Sequence, residues 1–461
     1  MDVKGTRIAS ISGLRGWVGD GIDPVTAAEF AAAYASGREP GPIVVGHDGR
    51  VSAPVFEAAV TAAIAGTGRD ALIAGAAATP TVGFLVRELG AAGGVQISAS
   101  HNPPEYNGLK FFQPGGMVLG AADGRAVLDR WKRKEFAWAP FDGLGRISQL
   151  AEPFEGHLKR VLELVDVAAI RARKFVVALD ACHGAGGRMG RELLYRLGCR
   201  PIVLGAEPDG RYDHPPEPTE RNLGGFARMV PAMEAAVGFA QDPDADRLAI
   251  IDERGTYIGE ELTLALAALR RLDQERGPVA LNLSTSRATE DLAKARGCPV
   301  IRTPVGEINV VEAILAHKAL IGGEGNGGVI DPRVGLVRDS FMGMALVLDL
   351  LASADRPLSS WVAEIPSHAM IKDQYPLAAG AAGPDGLARL WDRIAAAHPG
   401  AEADRRDGLR LAWDDRWVHV RASNTEPIAR VIAEARSRDE ARALADEVGR
   451  WMTETGDDRS S

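Results

Sequence analysis

Short apolar runs and longer Ala-rich runs alternate along most of the chain. PIVVG (42–46), KFVVALD (174–180), RLAIID (247–252) and VALNLS (279–284) have the length and composition of buried strands. PVTAAEFAAAYASG (24–37), SAPVFEAAVTAAIAG (52–66) and RATEDLAKARG (287–297) place apolar residues at helical spacing. Strands alternating with helices in this way imply βαβ units and a mostly parallel sheet. One pattern recurs three times: a strand, a turn of small residues or Asp, then a helix. It reads VVGHDGRVSAP at 44–54, VVALDACHGAGGRMGRELLYRLG at 176–198 and ALNLSTSRATEDLA at 280–293. The pattern suggests one architectural unit used three times, with the chemistry expected at the carboxyl ends of strands.

The last hundred residues follow another period. LRLAWDDRWVHVRAS alternates like two antiparallel strands around a DD turn, ARVIAEARS reads as a further strand, and SRDEARALADEVGRWMTE as a helix. This α+β pattern marks a separate terminal domain, with a boundary near Pro357 and Pro366. The fold class expected is therefore α/β, with three similar mixed α/β domains and a C-terminal α+β domain. The expected domains span 1–147, 148–250, 251–364 and 365–461.

Composition adds exclusions. The chain has 461 residues, 46% hydrophobic and 25% charged, which is ordinary globular make-up. Its net charge of -9 speaks against nucleic acid as a partner but leaves room for a locally basic cleft that binds anions. Cys182, Cys199 and Cys298 are too few and too scattered for a disulfide framework or a zinc site. No signal peptide and no membrane partner are expected, and the cytoplasm is the expected compartment.

Four segments carry candidate chemistry. In GGVQISASHNPPEYNGLKFF (93–112), an apolar strand runs into a loop holding Ser98, Ser100, His101 and Asn102, stiffened by two prolines. Ser100 stands there beside a possible base; a solvated Ser-capped turn is the alternative, and GxSxG is absent. In FAQDPDADRLAIID (239–252), Asp242, Asp244 and Asp246 alternate in a turn and can converge on one hard cation. The competing metal reading is an EF-hand loop with Glu253 at its twelfth position, but Arg247 stands where that loop needs Gly and the segment continues as a strand; a solvated acidic loop with no metal is the other alternative. Arg247 offers a cation to a phosphate sharing the metal. In VRASNTEPIAR (420–430), Arg421, Ser423, Asn424, Thr425 and Arg430 offer donors around a tight turn suited to phosphate. TPVGE (303–307) is followed by LIGGEGNGGVIDP (320–332), where glycines open the backbone to a ligand and Glu324 and Asn326 can meet sugar hydroxyls.

Together these segments resemble the α-D-phosphohexomutase superfamily, which includes phosphoglucomutase, phosphomannomutase and phosphoglucosamine mutase. ISGLRGWVG (11–19) is similar to a family loop with a catalytic arginine, here Arg15. SASHNP is similar to the phosphoserine loop, DPDADR to the metal loop, GEGNGG to the sugar loop and RASNTEP to the terminal phosphate loop; HPPEPTERNL (214–223) also resembles a family segment. The resemblance implies four domains around a central cleft, each giving one loop. It implies transfer from phosphorylated Ser100 to a hexose 1- or 6-phosphate through a sugar 1,6-bisphosphate, which also serves as activator. It implies Mg²⁺ on Ser100, Asp242, Asp244 and Asp246, and catalytic parts for Ser100, His101, Arg15, Lys110 and Arg247. Substrate contacts are expected from Thr303, Gly306, Glu324, Asn326, Arg421, Ser423, Asn424, Thr425 and Arg430. The expected partner is a hexose phosphate, and the chain is expected to be a monomer or homodimer.

The sequence departs from the commoner GEMSGH and GEQSGH loops: Asn326 and Gly328 replace the hydroxyl and the imidazole. A lysine that meets sugar in some members would fall near Ser284. ISASHNP and NGLKFF lean toward glucosamine phosphate; a broad phosphomannomutase/phosphoglucomutase is the alternative. A metal-dependent sugar phosphatase and a non-catalytic sugar-phosphate binder are the remaining readings.

Overall fold

The computed structural model describes residues 7–378, 383–423 and 428–453. Among the described residues, twenty strands form four sheets. The first holds β1 (Arg7–Ser10), β2 (Gly13–Trp17), β3 (Ile43–His47), β4 (Ala71–Ala76), β5 (Gly93–Ile97), β6 (Tyr106–Phe112) and β7 (Ile147–Gln149), in the order β1-β2-β6-β5-β3-β4-β7. The second holds β8 (Val176–Asp180), β9 (Arg200–Leu204), β10 (Val237–Gln241) and β11 (Leu248–Asp252), ordered β11-β10-β8-β9. The third holds β12 (Val279–Asn282), β13 (Val300–Thr303), β14 (Ile321–Glu324) and β15 (Gly328–Ile330), ordered β13-β12-β14-β15.

These three sheets repeat one topology. Each contains three consecutive parallel strands and a fourth that closes antiparallel against the third: β6 on β5, β11 on β10 and β15 on β14; the first sheet adds β7, parallel to β4, and the antiparallel β2 and β1 beyond β6. The strands that the recurring pattern opens, β3, β8 and β12, occupy the same inner place in each sheet. All residues of β5, β10, β11, β12 and β14 are buried, as expected of strands covered on both faces by helices. Some helices start at a side-chain cap that the sequence supplies. Asp23, for example, accepts from the Thr26 amide at 2.7 Å ahead of Pro24.

The fourth sheet is antiparallel throughout: β16 (Ala369–Pro376), β17 (Glu402–Asp404), β18 (Leu409–Ala412), β19 (Trp417–Ala422) and β20 (Ile428–Ala435), ordered β16-β20-β19-β18-β17. The helix Arg438–Thr453 covers it.

The cores explain how the bodies join. The helix Ser340–Ala352 is apolar on all sides and buried almost throughout, because it lies between the second and third sheets. One continuous core therefore takes in Leu179 and Phe239 from the second body and Leu264 and Leu281 from the third. The fourth body has its own core, from Ile371 to Met452. Among the described residues, no helix is long and apolar enough to cross a membrane.

Candidate active site

Three of the candidate loops occupy equivalent places. The Ser100 loop joins β5 to β6, the aspartate loop joins β10 to β11, and the GEGNGG loop joins β14 to β15. Each lies at the carboxyl end of the third parallel strand, where an antiparallel partner turns the chain straight back. The recurring turns that drew notice in the sequence lie one strand away and support these loops. Arg50 Nη2 donates to the carbonyls of Ser100 and Asn102, both at 2.7 Å, and Arg50 Nη1 to those of Pro103 and Tyr106. The Ala185 amide donates to the Pro243 carbonyl at 2.8 Å. Asn282 Nδ2 donates to Glu324 Oε1 at 2.9 Å, and the Gly325 amide to Thr285 Oγ1 at 3.1 Å.

Ser100 sits in the left-handed region at φ 52°, a conformation that costs energy for a non-glycine residue and needs such support. Its amide donates to Ser98 Oγ at 2.8 Å. The hydroxyl donates to Asp242 Oδ2 at 3.0 Å, and His101 Nδ1 lies 3.3 Å away. Burial and the nearby Arg247 and Arg15 push the His101 imidazole down to about 3, so it is neutral at pH 7. Arg15, from β2, donates to Asn102 Oδ1 at 2.8 Å, and burial lowers its guanidinium.

Asp242, Asp244 and Asp246 offer carboxylate oxygens within 4.8 Å of one another, and all three residues are buried. Lys110, from β6, pairs with Asp244 and Asp246, and Thr79 Oγ1 also donates to Asp244 Oδ2. Burial raises Asp242, and its two carboxylate neighbours raise it further. For Asp244 and Asp246 burial acts the same way, but Lys110, and for Asp246 also Arg338, outweigh it and hold both below the usual range. Lys110 is lifted above its usual value, since the two aspartates outweigh its burial. Among the described residues, Asp244 Oδ1 and Asp246 Oδ1 are buried without hydrogen-bond partners. Three buried carboxylates with two orphaned oxygens fit a hard divalent cation.

The third body closes the cleft. A cavity of about 220 Å³ has Arg15 and Lys110 on one wall and Gly306, Glu307, Glu324 and Arg338 on the other. Glu324 Oε1 also accepts from the Gly306 amide at 3.2 Å. Asn326 lies on the same loop with its Oδ1 buried and unpartnered among the described residues. Thr303 is buried and turns its hydroxyl to the Pro304 carbonyl at 2.9 Å. Arg247 donates its amide to Asp242 Oδ1 at 3.1 Å, and its guanidinium Nε stands 4.0 Å from Asp246 Oδ1.

Two of the C-terminal candidates, Arg421 and Arg430, sit on the fourth sheet. Arg421 and Arg430 face one another across β19 and β20, and the Ser423 amide donates to the Ile428 carbonyl at 2.8 Å. Arg430 is exposed, while Arg421 Nε pairs with Asp407 at 2.9 Å. Asp407 also accepts from the Val305 amide at 2.9 Å, which ties this corner to the TPVGE loop. Asn424 and Thr425 lie outside the described residues. Ser284, at the position of the missing lysine, bonds His419 at 2.9 Å.

Sequence reasoning missed Arg50, Thr79, Glu307, Arg338 and Asp407. Arg50 and Glu307 stood inside quoted segments, HDGR and TPVGE. Arg338 follows an ordinary apolar run and carries no local signal.

The chain matches four family profiles in order: phosphoglucomutase/phosphomannomutase α/β/α domain I at residues 7–138, domain II at 155–255, domain III at 259–368, and the C-terminal domain at 384–450. A phosphoglucomutase/phosphomannomutase from Thermococcus kodakarensis is 36% identical over 444 residues, covering 93% of this chain and 95% of that one. A protein from Methanopyrus kandleri named as a probable phosphoglucosamine mutase is 34% identical, covering 95% of both chains. The fold is shared with a phosphoglucomutase/phosphomannomutase family protein from Burkholderia thailandensis, at TM-score 0.84, 24% identity and 96% coverage of both chains. It is also shared with an Aspergillus fumigatus N-acetylphosphoglucosamine mutase solved with GlcNAc-6P and magnesium, at TM-score 0.56, 18% identity, and 81% and 92% coverage.

Proposed function

The chain belongs to the phosphoglucomutase/phosphomannomutase family, and we propose that its phosphohexomutase reaction runs through a phosphoserine at Ser100, with glucosamine phosphate as the preferred substrate. The observation that carries the serine is its hydroxyl, 3.0 Å from Asp242 at the rim of the carboxylate cluster, on a loop strained into position by Arg50.

In this reading the Ser100 phosphoryl passes to the free O1 or O6 of a hexose phosphate. The P–Oγ bond breaks, a P–O bond to the sugar oxygen forms, and the proton lost by that hydroxyl ends on Ser100 Oγ; the bisphosphate turns over and returns its other phosphoryl group to Ser100, with the proton moving back to the freed sugar oxygen. Positioning and charge neutralisation carry such a transfer. Asp242, Asp244, Asp246 and Ser100 Oγ would hold Mg²⁺, which when bound neutralises the oxygens of the transferring group. Arg15 and Arg247 face the same group with guanidinium donors. Lys110 stays an ammonium ion and balances the aspartates, while neutral His101 orients the Ser100 side. Glu324, fixed by Asn282 and Gly306, accepts sugar hydroxyls, with Thr303 and Asn326 beside it. Arg421, Ser423, Asn424, Thr425 and Arg430 grip the phosphate that does not react. That phosphate-centred grip suits a sugar that must bind in two orientations. Each domain thus gives one loop to the cleft.

The lean to glucosamine phosphate rests on the ISASHNP and NGLKFF segments and accords with the name of the Methanopyrus relative. Glucose or mannose phosphate is the second reading, favoured by the name of the Thermococcus relative.

The test is kcat/KM on glucosamine, glucose and mannose phosphates with Mg²⁺ and a bisphosphate activator, run beside Ser100→Ala. A glucosamine preference is expected, with no turnover in the variant and an unchanged melting temperature. Comparable turnover of glucose or mannose phosphate makes the enzyme a broad hexose mutase. Turnover by Ser100→Ala removes the phosphoserine.

A further inference from the structure

Arg338 lies between β15 and the helix Ser340–Ala352, and it is buried. Its guanidinium reaches carboxylates from three separate segments: the aspartate loop, the end of β14 and the start of the helix Glu307–His317. Nη2 donates to Asp246 Oδ2 at 2.6 Å and Nη1 to Glu324 Oε2 at 3.0 Å, while Nε stands 3.2 Å from Glu307 Oε2. The Arg338 amide also donates to Glu307 Oε1 at 2.9 Å. A planar fork can hold several carboxylates in fixed directions, which a flexible ammonium cannot do.

These bonds decide which oxygens remain free. Arg338 and Lys110 both take Asp246 Oδ2, so the buried oxygen left without a hydrogen bond is Oδ1. On Glu324, Arg338 takes Oε2 while Asn282 and Gly306 take Oε1, so the carboxylate cannot swing. The same guanidinium thus aims one carboxylate of the aspartate cluster and one of the sugar loop.

The arrangement has a steric condition. A Cβ on Gly328 would stand 2.3 Å from Arg338 Cδ and 2.9 Å from Cγ. The aliphatic stem of Arg338 fills the space that any side chain at 328 would enter. Gly328 is one of the two departures in the GEGNGG loop, and the departure and the arginine fit each other.

We propose that Arg338 is a positioning residue that couples the metal loop to the sugar loop, and that glycine at 328 is the room it requires. Cation affinity and sugar affinity are then linked through one side chain. The proposal rests on the phosphohexomutase reading of the cleft.

The experiment uses the full chain and Mn²⁺ as the probe. Mn²⁺ binding is followed by the electron paramagnetic resonance of the free ion, and kcat and KM are measured separately. Arg338→Lys keeps a buried cation but loses the fork. It is expected to weaken Mn²⁺ binding by about 10–100-fold, the usual range for groups that orient metal ligands, and to raise KM. Gly328→Ala is expected to shift both readings in the same direction, by displacing the stem. Adding Gly328→Ala to Arg338→Ala is expected to cost nothing further, since no stem is left to displace. Wild-type Mn²⁺ affinity in folded Arg338→Lys would overturn the proposal, and so would additive losses in the double variant. The mutase reading fails by a different result: Mn²⁺ bound by the wild-type chain with no hexose phosphate turned over.

Discussion

Arg50 shows how much one side chain can hold. It is buried, its Nε pairs with Asp48 at 2.9 Å, and its two terminal nitrogens donate to four carbonyls of the Ser100 loop. The Ser100 backbone stays at positive φ because these bonds outweigh its local strain. A lysine would keep the charge and leave several buried carbonyls unpaired. Arg50→Lys is therefore expected to lower stability by about 2–4 kcal/mol in denaturant unfolding, at 1–3 kcal/mol per unsatisfied buried group. It should also lower kcat, as the Ser100 hydroxyl leaves its register with Asp242. Wild-type stability and kcat in that variant would mean that the loop holds its shape unaided.

Among the elements, the β-hairpins matter more than the helices for the site. The loops after β5, β10 and β14 are short returns into an antiparallel partner, so their backbones are fixed at both ends. The helix Glu260–Gln274 contributes at its first turn. Glu261 accepts from the Ser286 amide at 2.9 Å and lies 3.2 Å from Lys372 of the fourth sheet. Burial lifts its carboxyl to about 7, although Lys372 pulls the other way. A folded-state value above the unfolded one means that the folded chain holds the proton more tightly. Stability is thus lost as pH rises between about 4.5 and about 7, and the full penalty is present above that. Glu261→Gln is expected to stabilise the protein by about 1–3 kcal/mol more at pH 8 than at pH 4.5. An equal effect at both pH values would mean that Glu261 is not held protonated by the fold.

At the scale of the whole molecule, the bodies are joined in two ways. The second and third share one apolar core through the helix Ser340–Ala352. The fourth has a separate core and meets the third through polar contacts: Lys372 with Glu261, His419 with Ser284, and Asp407 with the Val305 amide. Such a polar seam is suited to relative motion. Asp407 also holds Arg421, so it sits where the seam meets the proposed phosphate grip. Asp407→Ala is expected to raise KM for the hexose phosphate several-fold with kcat little changed, since Arg421 loses its orientation while the Ser100 cluster is untouched. An unchanged KM would separate Arg421 from substrate binding.

The sequence by itself determined the alternation of strands and helices, the threefold recurrence and the antiparallel C-terminal sheet. These follow from local period, and period is written in neighbouring residues. It also singled out Ser100 and the three aspartates, because each group is contiguous: SASHNP and DPDADR carry their chemistry within a few positions. Only the tertiary structure decided that the three loops follow β5, β10 and β14, the third of three consecutive parallel strands in each sheet, and that the recurring turns after β3, β8 and β12 act as their supports. Only it brought Arg338 to Asp246, 92 positions away, and Lys110 to the same carboxylate, 136 positions away. A lone arginine after an apolar run has no pattern to read. Its role is set by which carboxylates lack a partner once the sheets have packed, and that is a property of the folded interior.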